Sequence, residues 1–101
     1  MNPRAKGKRV EYKIRDRLRR IGECYRVPCS GSSEGFKTDL HLYISNKVYR
    51  VEVKARKEGF KQIRDWLEEA DMLIVKIDRQ EPIIILSLNT LEELLGLAEN
   101  P

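Results

Sequence analysis

Two neighbouring stretches of the chain place acidic and basic side chains where they could do chemistry together. In residues 37–44, Asp39 belongs to the polar half of an alternating pattern, and Glu52 and Lys54 do so in residues 48–54. Successive side chains of a β-strand point to opposite faces, so this alternation predicts that the three polar side chains share one face. A short turn between the stretches predicts a hairpin with its strands about 4.8 Å apart. We therefore expect the three side chains to converge.

Two carboxylates this close repel each other when both are ionised, unless a cation lies between them. A hard divalent ion such as Mg²⁺, bound through oxygen, meets that need. It would polarise a phosphoryl oxygen and lower the pKa of a bound water, and Lys54 could orient that water or offset charge on the phosphate. The spacing by itself leaves a second interpretation open, which is a surface cluster of Asp39, Lys54 and Glu52 without a catalytic role.

A third acid stands on the helix that opens the chain. Residues 6–21 are predicted to be helical because apolar residues recur at helical spacing and a glycine follows them. At about 100° per residue, Glu11 lies about 20° from Leu18, at the edge of the apolar stripe that faces the sheet. An acid in that position needs a partner. A metal site on the sheet is one candidate, and Lys8 or Arg15 one turn away is the other.

The remaining elements that must position these residues follow from local patterns. The element order is predicted as α-β-β-β-α-β-β-α, and one mixed sheet flanked by helices, an α/β fold, accommodates it. At 101 residues the chain is expected to form a single domain, 1–101. The last two strands are nearly continuous apolar runs, a pattern typical of strands covered on both faces. Asn89 or Thr90 is expected to cap the last helix. The ranges are 23–27, 72–77 and 83–86 for the other strands, 28–35 for a Ser- and Gly-rich loop, and 60–69 for the second helix.

The charge distribution indicates a polyanionic partner. Residues 1–20 hold nine basic side chains against two acids, a net charge of +7, while the other 81 residues sum to −3. The alternative is a solvated, cation-rich helix face.

No apolar run approaches a membrane span, no secretory signal is recognised and membrane-surface binding is not expected, so we expect a cytoplasmic protein. Cys24 and Cys29, with one histidine, fall short of a structural zinc site and are expected to be reduced.

Taken in order, these residues resemble the PD-(D/E)XK nuclease superfamily. Within it the likeness is greatest to the archaeal-type Holliday junction resolvases, including versions carried by phages, and it runs from about residue 6 to residue 67. Thr38 departs from the pattern, because it stands where the superfamily name has proline. The residues that carry the resemblance are Lys6-Gly7, Glu11, Gly22, Arg26, Ser30-Gly31, Asp39-Leu40 and Val51-Glu52-Val53-Lys54.

The resemblance implies a restriction-endonuclease-like α-β-β-β-α-β core with one extra strand and a C-terminal helix. It implies that Asp39, Glu52, Glu11 and the carbonyl of Val53 bind Mg²⁺, for which Mn²⁺ would substitute. Lys54 would be the catalytic lysine. A further position, Ser30, would lie close to the scissile backbone.

The resemblance also implies a substrate, branched double-stranded DNA such as a four-way junction, and a homodimer that cuts it. If a phage encodes the chain, the host-cell cytoplasm is the expected location. Two alternatives stay open, namely a less selective repair or restriction-like nuclease and a non-catalytic DNA-binding module. Eight residues are candidate DNA contacts, some because of the resemblance and others because they are cations near Glu11 on the first helix. They are Lys6, Lys8, Arg9, Arg15, Arg26, Ser30, Ser32 and Gln62.

Overall fold

The computed structural model describes residues 3–27 and 38–97, with side chains from residue 7 onward. The chain divides into two compact units, Met1–Ala55 and Arg56–Pro101, which are described in turn. The order of the eight elements confirms the predicted order. The elements are α1 (Pro3–Leu18), β1 (Glu23–Arg26), β2 (Leu40–Ile44), β3 (Lys47–Val51), α2 (Lys61–Leu67), β4 (Met72–Val75), β5 (Ile83–Leu86) and α3 (Leu88–Leu94).

The first unit is a three-stranded antiparallel sheet in the order β1-β2-β3, with α1 packed against β1 and β2. Leu40 and Leu42 are buried, which confirms that the apolar half of the β2 alternation faces inward. Cys24 lies opposite Leu42 in the register and is itself fully buried. Leu18 of α1 and Val27 complete this core.

The hairpin between β2 and β3 turns through two residues. Ser45 and Asn46 have φ values of 49° and 66°, and such a pair of left-handed residues is what a type I′ turn requires. The twist of that turn matches the twist of the flanking strands. Lys47 already pairs with Ile44, so the turn is one residue shorter than the predicted 45–47.

Helix α1 ends at Leu18, three residues before the predicted end. The N–H of Ile21 donates to the carbonyl of Leu18 at 2.8 Å, so a tight turn replaces the last turn of the helix. Gly22 then passes so close to β2 that a Cβ there would collide with the backbone oxygen of Tyr43. The glycine is therefore required by this close approach and not by the end of α1, which lies four residues earlier.

The second unit holds a two-stranded antiparallel sheet of β4 and β5, the helix α2 against β4, and α3. Across residues 3–27 and 38–97 all strand pairs are antiparallel and lie in two separate sheets, so the prediction of one mixed sheet is wrong for these residues. The physical reason is local: a short polar turn returns the chain from β4 directly to β5, and such a connection pairs strands antiparallel. The coarser prediction of an α/β chain is confirmed.

The expectation that β4 and β5 are covered on both faces is also wrong. At least half of the surface of Ile74, Ile83 and Ile84 is exposed. Helix α2, the main helical contact of β4, has no buried residue of its own, because it is short. Within the described part of this unit, no large apolar side chain is buried.

Helix α3 begins one residue after Ser87, which corrects the predicted cap. The Ser87 hydroxyl accepts a hydrogen bond from the backbone N–H of Thr90 at 3.1 Å. Ser87 has the extended backbone of an N-cap, whereas Asn89 and Thr90 lie inside the first turn.

Among the described residues no helix has the length and apolar character that a membrane crossing requires. The single domain over 1–101 stays a prediction.

Candidate active site

Asp39 lies directly before β2 and is held by the strands on both sides. Its N–H donates to the carbonyl of Val51, and its carbonyl accepts from the N–H of Val27, both at 2.9 Å. Its carboxylate Oδ2 accepts a hydrogen bond from the N–H of Val53 at 2.7 Å. Because a side chain rather than a backbone carbonyl takes this N–H, β3 ends at Val51, short of the predicted residue 54.

Glu52 lies beside Asp39, and the two carboxyl groups interact directly. A hydrogen bond to the Asp39 side chain is the main cause that raises the pKa of Glu52, and desolvation and the Asp39 charge add to it. The charge of Lys54 opposes this rise in pKa, while the charge of Glu11 supports it. The two hairpin acids therefore lie on the same side, as the strand alternation predicts.

Glu11 faces the sheet, as expected, and finds its partner there. The Nε of Arg26 in β1 donates to Glu11 Oε1 at 3.0 Å, and only 24% and 15% of the two side chains is exposed. The structure thus gives Glu11 a partner other than the proposed Lys8 or Arg15. Arg15 instead pairs with Asp16 at 2.8 Å.

Two arginines of this region contact the same aromatic ring. The guanidinium carbon of Arg15 is 4.7 Å from the centroid of the Tyr12 ring, and that of Arg26 is 5.8 Å away. Both distances fall within the range of a cation–π contact. The ring therefore helps to hold Arg26 beside Glu11.

The described residues of the first unit bring four of the candidate site residues together. Glu11, Asp39 and Lys54 all lie near enough to Glu52 to act on its carboxyl group. Lys8 and Arg9 are exposed on α1, and Gln62 is exposed on α2 of the second unit. Ser30 and Ser32 lie outside the described residues, as does the side chain of Lys6.

Whether these residues fit a metal ion depends on the donor set. Among the side chains that the structure describes, no group of three or more His, Cys, Asp and Glu is arranged so that it could hold a metal ion. Asp39 and Glu52 nevertheless supply adjacent carboxylate oxygens, the donors that Mg²⁺ prefers. Glu11 forms an ion pair with Arg26, so it would bind the same cation as Asp39 and Glu52 only after releasing Arg26. The donors fit a hard cation through the Asp39–Glu52 pair.

Two features of the site were missed from the sequence. The resemblance predicts a role for the Val53 carbonyl, whereas the structure shows the Val53 N–H holding the Asp39 carboxylate. Arg26 was considered as a DNA contact, whereas it pairs with Glu11. A signal for Arg26 did exist, because in β1 it alternates in phase with the buried Cys24 and so lies on the helix-covered face.

The thiol of Cys24 takes no part in this site. Burial raises its pKa, and the charges of Arg19 and Arg15 only partly oppose that rise. A protonated, buried thiol is a poor nucleophile and metal ligand. Cys24 is free and Cys29 lies outside the described residues, so the reduced state of the pair stays a prediction.

Comparison of the chain with protein-family models, with curated proteins and with solved structures finds no match. The chemical interpretation of the site therefore depends on the residues and contacts described above and on the resemblance of the sequence pattern.

Proposed function

We propose that this chain is a metal-dependent endodeoxyribonuclease that hydrolyses phosphodiester bonds in branched DNA, most of all in four-way junctions. The observation that carries the proposal is the direct contact of the Asp39 and Glu52 carboxyl groups, with Lys54 and Glu11 within electrostatic reach. At neutral pH such a pair favours a bound divalent cation, which would relieve the repulsion.

Each residue has a part in the proposed reaction. Asp39 and Glu52 would hold Mg²⁺, or Mn²⁺ in its place, with Glu11 and the carbonyl of Val53 as further ligands. The ion, when bound, would supply Lewis-acid activation of the phosphodiester and of a water. Lys54 would donate hydrogen bonds to the attacking water or to the phosphate, where its charge offsets the negative charge that develops.

Further parts of the proposal come from charge and from the resemblance. Exposed cations on α1, Lys8 and Arg9 among them, would bind DNA phosphates. Ser30 would lie near the scissile bond, and Gln62 would contact the DNA. The restriction-endonuclease-like core, the homodimer and a location in the cytoplasm, or in that of a host cell, belong to the same proposal.

Removal of either hairpin acid tests the proposal. We expect Asp39→Asn and Glu52→Gln to reduce Mg²⁺-dependent cleavage of a labelled four-way junction by at least about 100-fold, because each removes an ionised ligand. Junction binding measured in EDTA should stay within about threefold of the wild type. Glu23→Gln, an exposed glutamate of the same unit, is the matched control and should cleave normally. Full cleavage by either site variant contradicts the proposal.

Two other functions are separated by simple comparisons. A less selective repair or restriction-like nuclease would cut the linear arms of the junction as fast as the junction itself. A non-catalytic DNA-binding module would bind in a salt-sensitive way and cleave nothing with Mg²⁺ or Mn²⁺. The presence of all four residues, Glu11, Asp39, Glu52 and Lys54, favours the enzyme over the module.

A further inference from the structure

A group of exposed cations follows the candidate site in the chain and has no role in the proposed reaction. Arg56, Lys57, Lys61 and Arg64 lie within nine residues, and Glu58 is the one acid among them. All four cations are exposed. Clustered surface cations of this kind create a positive potential that attracts anions.

The four cations line a single cavity of about 790 Å³ in the second unit, together with Phe60 and the one acid, Glu58. The chain turns at Gly59, whose φ of 103° lies in the region that favours glycine. A Cβ at Gly59 would stand 4.0 Å from Cδ of Arg56, so the turn brings the Arg56 side chain back over the backbone. The turn thereby gathers cations that the sequence spaces apart.

Four cations and one acid line this cavity, and three of the four cations form no ion pair with the described carboxylates. Lys61 pairs with Asp65 at 2.7 Å, in an ion pair whose side chains are 86% and 40% exposed. Within residues 3–27 and 38–97, no carboxylate forms an ion pair with Arg56, Lys57 or Arg64. These three cations can therefore attract an anion without first breaking an ion pair.

The cavity also offers an aromatic and apolar surface. The side chain of Phe60 is 41% exposed. An adjoining cavity of about 450 Å³ shares Phe60 and Arg64 and adds Ile63 and Leu67. Guanidinium groups bind phosphate through two parallel hydrogen bonds, and an exposed ring stacks on a base of any identity. A ligand that combines phosphate groups with an unstacked base matches both surfaces.

We propose that Arg56, Lys57, Phe60 and Arg64 form a second DNA-contact surface, which binds the phosphates of one strand and stacks an unpaired base on Phe60. The inference rests on the proposed function in taking DNA as the substrate. It deepens that function, because it specifies a strand with at least one unstacked base. Paired bases in linear duplex do not expose a face to the ring.

The charge part of the proposal is tested by equilibrium binding of a labelled 16-nucleotide single strand in EDTA. We expect Arg56→Gln/Lys57→Gln to bind about tenfold more weakly and to lower the slope of log affinity against log salt by about 1.4, about 0.7 for each phosphate that the variant no longer neutralises. Lys76→Gln/Arg79→Gln removes the same charge from exposed positions elsewhere in this unit and should change neither quantity. Equal losses in both double variants overturn the proposal.

The stacking part is tested with Phe60→Leu, which keeps an apolar side chain but removes the ring. Single-strand binding should weaken about tenfold, and binding of the matched duplex should stay within about twofold of the wild type. Phe60→Tyr should restore single-strand binding, and circular dichroism checks that both variants are folded. Wild-type single-strand binding by Phe60→Leu, or the same loss on single strand and duplex, overturns the stacking.

Two further measurements separate this surface from a free-phosphate site and from the proposed nuclease. Inorganic phosphate at matched ionic strength should displace the labelled strand far less well than unlabelled strand; equal displacement means a free-phosphate site and overturns the proposal. Mg²⁺-dependent cleavage of a junction by the same wild-type sample tests the nuclease. Variant-sensitive binding without cleavage contradicts the nuclease but keeps the surface, whereas cleavage with unaltered binding in every variant contradicts the surface alone.

Discussion

Glu11 and Arg26 were both expected to act on ligands, Glu11 on a metal ion and Arg26 on DNA, yet in the structure they bind each other. Their side chains are mostly covered, so the contact satisfies two charges that would otherwise be costly to bury. The pair does not remove either residue from the proposed site. It means that any ligand of Glu11 must compete with a guanidinium group that is already in place.

A double-mutant cycle measures this contact. We expect Arg26→Met and Glu11→Gln each to lower the free energy of unfolding by about 1–3 kcal/mol, because each leaves a half-buried polar partner unsatisfied. The double variant should lose less than the sum of the two. Lys61→Met at the exposed Lys61–Asp65 pair is the control and should lose less than about 0.5 kcal/mol in the same urea titration. Additive losses would show that the Glu11–Arg26 contact contributes nothing.

The Asp39–Glu52 contact makes a prediction about pH. Because the pKa of Glu52 is raised, the folded state holds this proton more firmly than the unfolded chain does. Any stability from the pair is therefore fully present below the ordinary glutamate pKa and is lost as pH rises through the raised pKa. Carboxyl ¹³C NMR should show the pKa of Glu52 falling in Asp39→Asn, and falling in wild type when MgCl₂ is added. An unchanged titration curve in Asp39→Asn would contradict the direct contact.

The β2–β3 hairpin is the element that brings the acids together, and α1 is held against it at Gly22. We expect Gly22→Ala to lower the free energy of unfolding by about 2 kcal/mol or more, because the added methyl group collides with the Tyr43 carbonyl. Gly7→Ala is the matched control. Open space surrounds Gly7 within α1, so this change should raise stability by about 0.5–1 kcal/mol. Urea unfolding of both variants checks the pair, and a wild-type midpoint for Gly22→Ala would refute the close approach.

Across the whole molecule, the excess of cations and the half-exposed isoleucines belong to different units of the chain. The excess of cations lies in residues 1–20, while half-exposed isoleucines lie in β4 and β5. Apolar side chains exposed in this way are typical of surfaces that another protein covers. The proposed cleavage of a junction would cut two opposed strands, which requires two sites.

We therefore predict a homodimer. Light scattering should give twice the chain mass of 11.8 kDa, and a junction labelled on either of two opposed strands should show nicks at symmetric positions. The proposed nicks would require Mg²⁺, so EDTA is the control for both labels. A monomeric mass with cleavage of only one strand would contradict the paired mechanism and favour the less selective nuclease.

The order of the eight elements could be predicted from the sequence, because helical and alternating periodicities are local properties of the chain. The same alternation correctly placed Leu40 and Leu42 inward and Asp39 beside Glu52. The ends of the strands could not be predicted as well. They depend on which acceptor takes a given N–H, and the Asp39 carboxylate takes the one on Val53.

Only the tertiary structure decided the partner of Glu11 and the pairing of the strands. Helical spacing predicts that Glu11 faces the sheet, but its partner is Arg26, fifteen residues away on another element. Likewise, the apolar character of β4 and β5 predicts strands without stating how they pair, and the short turn between them makes the pair antiparallel. Periodicity reports which way a side chain faces, whereas contacts between distant residues depend on how whole elements pack.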